Sequence, residues 1–264
     1  MNNLIEKQKV IDTVETFFGP EKRGFIKELF GEKEDLGSIL HDLQSLGLML
    51  AGGAINSIFT DNRINDLDFY IKNVNDIPAA TTFLARWFPS EPPFKSINAL
   101  TFKRQSKHGR KIWTVQLITK FCGEPEYILD TFDYTITQGL YDFQNDEFVF
   151  GERFFQDLAK KRLTYLGKSH YPICALYRTN KYRDRGYKLP GSTIMHIALS
   201  IVRLEIKTYK DLKEQLMGID TMYLKNLLNT EKYDDALPVD FGEFLADVFE
   251  QLNSYLDEDN EEVS

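Results

Sequence analysis

From Leu48 to Asn73 the chain reads LMLAGGAINSIFTDNRINDLDFYIKN, and no other stretch constrains the fold as tightly. An apolar run, Leu48 to Ala51, ends in a glycine pair, Gly52-Gly53. A helix-compatible segment follows. Two carboxylates separated by one residue, Asp66 and Asp68, then open a second apolar run. On a strand, residues i and i+2 point the same way, so Asp66 and Asp68 should project together beside the glycine turn. A glycine turn leading into a helix leaves backbone N–H groups facing outward, a natural seat for phosphate. Two carboxylates facing that seat supply hard oxygen ligands for a divalent cation. Such a pattern can hold Mg²⁺ and a triphosphate together.

Ala51-Gly52-Gly53 followed by Asp66-Leu67-Asp68 resembles the signature of the polymerase β-like nucleotidyltransferase superfamily. The resemblance implies a third carboxylate on a later strand. In YILDTFDYTITQ the best candidate is Asp133, because Phe132, Tyr134 and Ile136 alternate with Asp133 and Thr135 as in a half-buried strand. Asp130 is the reserve. The implied chemistry is in-line attack of a hydroxyl on the α-phosphorus of a nucleoside triphosphate. Two Mg²⁺ (or Mn²⁺) ions, about 3.5–4 Å apart in such sites, would be held by Asp66, Asp68 and Asp133. Gly52 and Gly53 would bring backbone N–H groups to the β- and γ-phosphates, with Asn56 and Ser57 as further candidates for nucleotide contact.

Composition narrows the class. The 264 residues suit one large or two small domains. No apolar run is long enough to cross a bilayer, and the N-terminus lacks the pattern of a signal peptide. Cys122 and Cys174 are the only cysteines, too few for a disulfide framework, and the four histidines are scattered. A cytoplasmic protein is expected, of the cell or of a host if the chain is phage-encoded, with no membrane partner. The net charge of −8 argues at first against nucleic acid. Its distribution changes that reading. Lys160 to Lys188 carries nine basic residues and one acid, whereas Asp234 to Ser264 carries eleven acids and no Lys or Arg. A basic middle and an acidic end give the chain one candidate anion-binding face.

The expected fold class is α+β: a nucleotidyltransferase catalytic domain with a mixed sheet, followed by an all-helical domain. Residues 1–46 read as a helical segment, broken at Gly19-Pro20, Gly31 and Gly37. Residues 47–151 form the catalytic domain. It holds strands at Leu48–Ala51 and Asp66–Ile71, a helix over IPAATTFLARWF, a hairpin across the KHGR turn and a second about Asn145-Asp146. PEYIL is a short helix. Residues 152–255 are a helical neck and body, and 256–264 an acidic tail expected to be disordered.

The helical half resembles the neck of bacterial tRNA nucleotidyltransferases and poly(A) polymerases. Asp157-Leu158 with Lys161-Arg162 matches the family's first neck element, Tyr177 to Tyr182 its Leu-Arg-x-x-Arg-Phe helix, and Gly186-Tyr187 its Gly-aromatic pair. The departures are specific. Asn56-Ser57 stands where that family has Arg-Asp. Tyr171, Pro172 and Ala175 fall where it reads the base through Glu, Asp and Arg, and none can pair with a base in that way. True CCA addition is therefore not expected, and the chain is more similar to divergent phage or viral nucleotidyltransferases. On a helical wheel Arg178, Lys181, Tyr182 and Arg185 share a face, so Arg178 and Lys181 are expected to meet phosphates while Tyr182 stacks a base. Ile173, Leu176, Tyr177 and Tyr187 would form the core face, with Asn180 and Asp184 among them. The implied function is metal-dependent transfer of a nucleotide, AMP from ATP, to a hydroxyl acceptor, with an RNA 3′ end (tRNA-like) favoured. The alternatives are a transferase for a protein or small molecule, and a silent nucleotide-binding module.

Overall fold

The structure is a computed structural model and describes residues 4–18, 36–89, 93–105, 112–216, 234–240 and 242–244. The expected tail at 256–264, the KHGR turn and the breaks at Gly19-Pro20 and Gly31 lie outside the described residues. The chain divides into two compact units, Met1–Lys160 and Lys161–Ser264.

The first unit is α+β, built on a seven-stranded mixed sheet. In chain order the strands are β1 (Leu48–Ala51), β2 (Asp66–Ile71), β3 (Phe94–Lys95), β4 (Ala99–Gln105), β5 (Ile112–Cys122), β6 (Gly139–Asp142) and β7 (Glu147–Phe150). Their order across the sheet is β3-β4-β5-β2-β1-β6-β7, with β2 and β5 parallel and the other pairs antiparallel. The helices are α1 (Leu4–Phe18), α2 (Leu36–Ser45), α3 (Gly53–Thr60), α4 (Ile77–Trp87), α5 (Pro125–Asp130) and α6 (Phe154–Ala159). Gly37, expected to break the N-terminal helices, lies in the first turn of α2.

One sheet face carries the main core. Leu48, Leu50, Leu67, Phe69, Ile71, Val115 and Leu117 pack there against Val10, Val14, Phe17 and Phe18 of α1, Ile39 and Leu43 of α2, Ile55 of α3 and Phe83 and Trp87 of α4. Removing that much apolar surface from water is the dominant favourable contribution to this unit. The strand period of two sends the intervening side chains to the other face. There a smaller cluster covers one end only: Met49, Ala51, Tyr70 and Leu140 with Ile128 and Leu129 of α5 and the flanking Phe132. Asp66 and Asp68 share this second face beyond the cluster, and both are half-buried.

The expected strand through Asp133 does not form. Asp133 sits in a bend, Thr135–Thr137 is a single 3₁₀ turn, and β6 begins only at Gly139. Residues 133 to 138 are all buried, without the alternation of a half-exposed strand. The segment is fixed by side chains and not by a ladder. Asn56 Nδ2 donates to Ile136 O (2.9 Å), Gln138 Nε2 to Leu129 O (3.0 Å), and Thr135 Oγ1 to Asp157 Oδ2 (2.7 Å). Buried polar groups need such partners, and here they replace the sheet pairing that the sequence pattern suggested.

The second unit is helical where it is described, with α7 (Pro172–Asp184), α8 (Gly191–Val202) and α9 (Tyr209–Leu216). A parallel bridge joins Arg162 to Lys188. Cys174, Tyr209, Leu212 and Phe244 form a small core.

Candidate active site

Register places the carboxylate pair. β1 runs antiparallel to β2 with Ala51 opposite Asp68, so the Gly52-Gly53 turn follows directly at the end of β2 that carries Asp66 and Asp68. The glycine turn therefore stands at the end of the sheet where Asp66 and Asp68 project. Gly52 N donates to Gly139 O (3.0 Å), which anchors the turn to β6, and the first bond of α3 runs from Asn56 N to Gly52 O (3.1 Å). The amides of Gly53, Ala54 and Ile55 precede that bond and have no partner within the helix.

The two glycines differ. Gly52 has φ 75° and ψ −129°, a conformation that favours glycine, and a Cβ there would meet the Phe132 ring at 3.0 Å. Gly53 has no positive φ, and a Cβ on it would meet nothing within 4 Å. Of the two, Gly52 alone has a backbone conformation that calls for glycine. What Gly53 offers is open space beside the first amides of α3.

Asn56 and Ser57 are buried. The Asn56 amide holds Ile136 O, and so ties α3 to the segment that follows Asp133. Asn56 thus has a structural task that accounts for its burial without a nucleotide. Ser57 lies in the second turn of α3 and lines a groove with Lys9, Asp12, Thr13 and Trp113.

Asp66 and Asp68 sit on one face of β2 as expected, whereas Asp133 does not join them. Phe132 packs under Gly52 and against Tyr70, at a ring separation of 5.9 Å, and its neighbour Asp133 is buried in the bend that follows. Among the described residues, no three His, Cys, Asp or Glu side chains lie close enough to hold one metal ion. The donor set that remains is the Asp66–Asp68 pair. Oδ1 of Asp68 is buried and accepts no hydrogen bond, although the residue makes another contact. Mg²⁺ is commonly held by one or two carboxylates plus substrate phosphates and water, so the pair fits one ion bound together with a triphosphate. The reserve residue, Asp130, ends α5 and is exposed.

In the second unit the face of α7 is turned from the one expected. Tyr182 is 5% exposed and packs edge-on against Tyr187, with ring centroids 5.9 Å apart. Cys174, Ala175 and Thr179 are buried beside it on the same helix. Leu176 and Tyr177, expected in the core, are 41% and 37% exposed. Asn180 and Asp184 are exposed as well and need no buried partners. Tyr182 is therefore a core residue and not a platform for a base. Lys181 is exposed and Arg178 half-buried.

Sequence reasoning passed over two residues on the open face. The parallel register of β2 and β5 sets Thr114 beside Asp66 and Gln116 beside Asp68, while Val115 and Leu117 enter the main core. The alternation in Trp113-Thr-Val-Gln-Leu117 carried that signal, but only the strand pairing shows what Gln116 lies next to.

The Gabija anti-defense 2 family protein model matches residues 20–161. The chain belongs to this family. A curated relative, Gabija anti-defense 2 of Bacillus phage SPbetaL7, is 31% identical over 188 residues, which is 71% of this chain and 45% of that protein. The chain thus spans about half the length of the curated relative it matches. Among solved structures it is similar to the Thermotoga maritima CCA-adding enzyme complexed with tRNA, with a TM-score of 0.46, 15% identity and coverage of 72% of this chain and 49% of that one. It is also similar to a tRNA-processing enzyme in an apo form, with a TM-score of 0.47, 18% identity and coverage of 85% and 57%. The family that matches is thus an anti-defense family, and not the tRNA nucleotidyltransferases and poly(A) polymerases that the neck resembles. No helix among the described residues is long and apolar enough to cross a membrane.

Proposed function

We propose that the chain is a nucleotidyltransferase that moves AMP from ATP onto a hydroxyl, and that this activity serves the anti-defense role named in its family. The reading is carried by one juxtaposition, Asp66 and Asp68 on one face of β2 at the end where the Gly52-Gly53 turn stands. The α3 amides receive the β- and γ-phosphates, helped by the positive end of the helix dipole. Gly53 lets those oxygens approach, since it puts no side chain between them and the backbone. Asp66 and Asp68 would hold Mg²⁺, which offsets negative charge at the α-phosphate and on the leaving group. The acceptor oxygen forms a bond to the α-phosphorus, the bond from that phosphorus to the bridging oxygen of the β-phosphate breaks, and pyrophosphate leaves. The hydroxyl proton goes to solvent.

The acceptor we assign is a hydroxyl on a component of the bacterial defence. The family name supports this, and the main argument for an RNA 3′ end falls with the burial of Tyr182. The RNA reading retains one observation. Lys161, Arg162, Lys181, Arg183 and Lys188 are exposed cations, and among the described residues they form no ion pair.

The deciding experiment incubates the protein with α-labelled ATP and Mg²⁺ in bacterial extract with and without the defence system. Label should enter a protein of the defended extract, and Asp66→Ala with Asp68→Ala should abolish it while leaving the melting temperature in place. Label in RNA would select the second acceptor. A double variant that transfers label at the wild-type rate would remove the enzyme reading altogether.

A further inference from the structure

The sheet order fixes more than the metal pair. β1 and the Gly52-Gly53 turn lie on one side of β2, and β5 lies on the other. If the triphosphate tail rests on the α3 amides, the leaving pyrophosphate is on the β1 side of the Asp66–Asp68 pair. In-line displacement requires the attacking oxygen opposite the leaving group. The acceptor must then approach over β5. The β5 side chains on that face beside the pair are Thr114, next to Asp66, and Gln116, next to Asp68, at the strand spacing of about 4.8 Å. β4 extends the same rows with Lys103 opposite Thr114 and Thr101 opposite Gln116.

Both β5 residues are half-buried, and among the described residues neither the Gln116 carboxamide nor the Thr114 hydroxyl makes a hydrogen bond. Uncommitted to other side chains and reaching the surface beside two carboxylates, these groups are open to a ligand. We infer that Gln116, with Thr114, is the acceptor subsite, and that the ligand there is the alcohol whose oxygen is nucleotidylated. This rests on the nucleotidyltransferase reading above. A carboxamide can accept the acceptor's O–H and donate to a neighbouring oxygen, but it is not a base. Gln116 therefore orients the hydroxyl and takes no proton. It also brings no charge, so a metal would be held by Asp66, Asp68 and the triphosphate, in keeping with the absence of a three-carboxylate group among the described residues.

The test is Mn²⁺ binding followed by electron paramagnetic resonance, with and without ATP, in the full chain. Wild-type protein should bind Mn²⁺ chiefly when ATP is present, and Asp66→Ala with Asp68→Ala should lose that binding. Gln116→Glu, nearly isosteric, places a third carboxylate beside Asp68 and should tighten Mn²⁺ binding about tenfold or more even without ATP. Gln116→Ala should leave Mn²⁺ and ATP binding unchanged and lower transfer to the labelled acceptor. If Gln116→Glu does not fold, Gln116→His carries the same expectation for Mn²⁺. A Gln116→Glu protein that binds ATP normally but gains no Mn²⁺ affinity would overturn the placement of Gln116. Wild-type protein without ATP-dependent Mn²⁺ binding would instead overturn the function reading, and this inference with it.

Discussion

Gly52 and Gly53 are adjacent and identical, yet alanine should affect them in opposite ways. At Gly52 the backbone lies in a region that residues with a Cβ enter at a cost of about 1–3 kcal/mol. The added methyl would also stand 3.0 Å from the Phe132 ring, so the ring must retreat by a few tenths of an ångström. Phe132 is held between Gly52 and Tyr70, and its retreat disturbs the small cluster under the turn. Gly52→Ala should therefore lose about 2 kcal/mol, or roughly 6 °C in Tm for a unit of this size. At Gly53 a Cβ meets nothing, and the residue opens α3. Alanine reduces the freedom of the unfolded chain, so Gly53→Ala should be neutral or stabilising by about 0.5 kcal/mol. The same open space is where phosphate oxygens would approach. Gly53→Ala should thus weaken MgATP binding while the fold stays intact, and Gly53→Val should abolish it. Thermal melts by circular dichroism and calorimetric titration with MgATP separate the two effects. Gly53→Val with wild-type ATP affinity would reduce the glycine pair to a turn, and Gly52→Ala with an unchanged Tm would refute the backbone argument.

Tyr182→Ala should act on stability, losing about 3 kcal/mol as buried aromatics do, and RNA affinity measured below the melting temperature should not change. Asp157 is fully buried, accepts from Thr135 Oγ1 and pairs with Arg153 at 3.2 Å. Asp157→Ala should lose about 1–3 kcal/mol by urea titration and loosen the turn beyond Asp133, which proteolysis between Phe132 and Gly139 would report. Asp146 receives a hydrogen bond from the Tyr141 hydroxyl and pairs with Lys7 at 3.0 Å, and these hold its carboxyl below the usual 3.8. A depressed folded-state value adds stability above pH 3.8 that is lost as pH falls through it, so Asp146→Asn should flatten the acid limb of a stability–pH curve below that point. An unaltered acid limb would show that this exposed pair contributes nothing measurable.

The sheet was legible because its strands obey local rules. Leu48–Ala51 is a short apolar run closed by glycine, and Asp66–Ile71 alternates until it enters the core. The turn before Glu147 has Asp146 in the left-handed region, at φ 52°. Each feature is visible within a few residues. The segment from Phe132 to Gln138 misled because its alternation is not caused by a sheet. Its spacing of apolar residues resembles a strand, but its polar groups are satisfied by Asn56, Leu129 and Asp157, which lie far off in sequence. No local pattern contains that information. The face of α7 failed for a related reason. Basic and aromatic residues are mixed around the whole helix, so the apolar stripe is weak, and tertiary packing chose Tyr182 over Tyr177.

The site divides along the same line. Gly52, Gly53, Asp66 and Asp68 lie within seventeen residues and are joined by one strand–helix–strand unit, so spacing alone brought them together. The acceptor side is contributed by β5, almost fifty residues later, and its position depends on a parallel pairing across β2. A parallel register cannot be read from a turn, because the crossover that makes it contains a helix and two more strands. Searching the sequence for a carboxylate therefore found Asp133, which has the expected charge but lies in a buried bend and not on a strand beside the pair. Searching the register finds Gln116, which has the position but no charge. If position governs, a single substitution at residue 116 should convert a metal site that depends on the nucleotide into one that does not, and no substitution at Asp133 should do so. Asp133→Asn with an undiminished Mn²⁺ affinity in the presence of ATP is the matching expectation. A loss there as large as that of the Asp66/Asp68 double variant would return Asp133 to the metal and Gln116 to the scaffold.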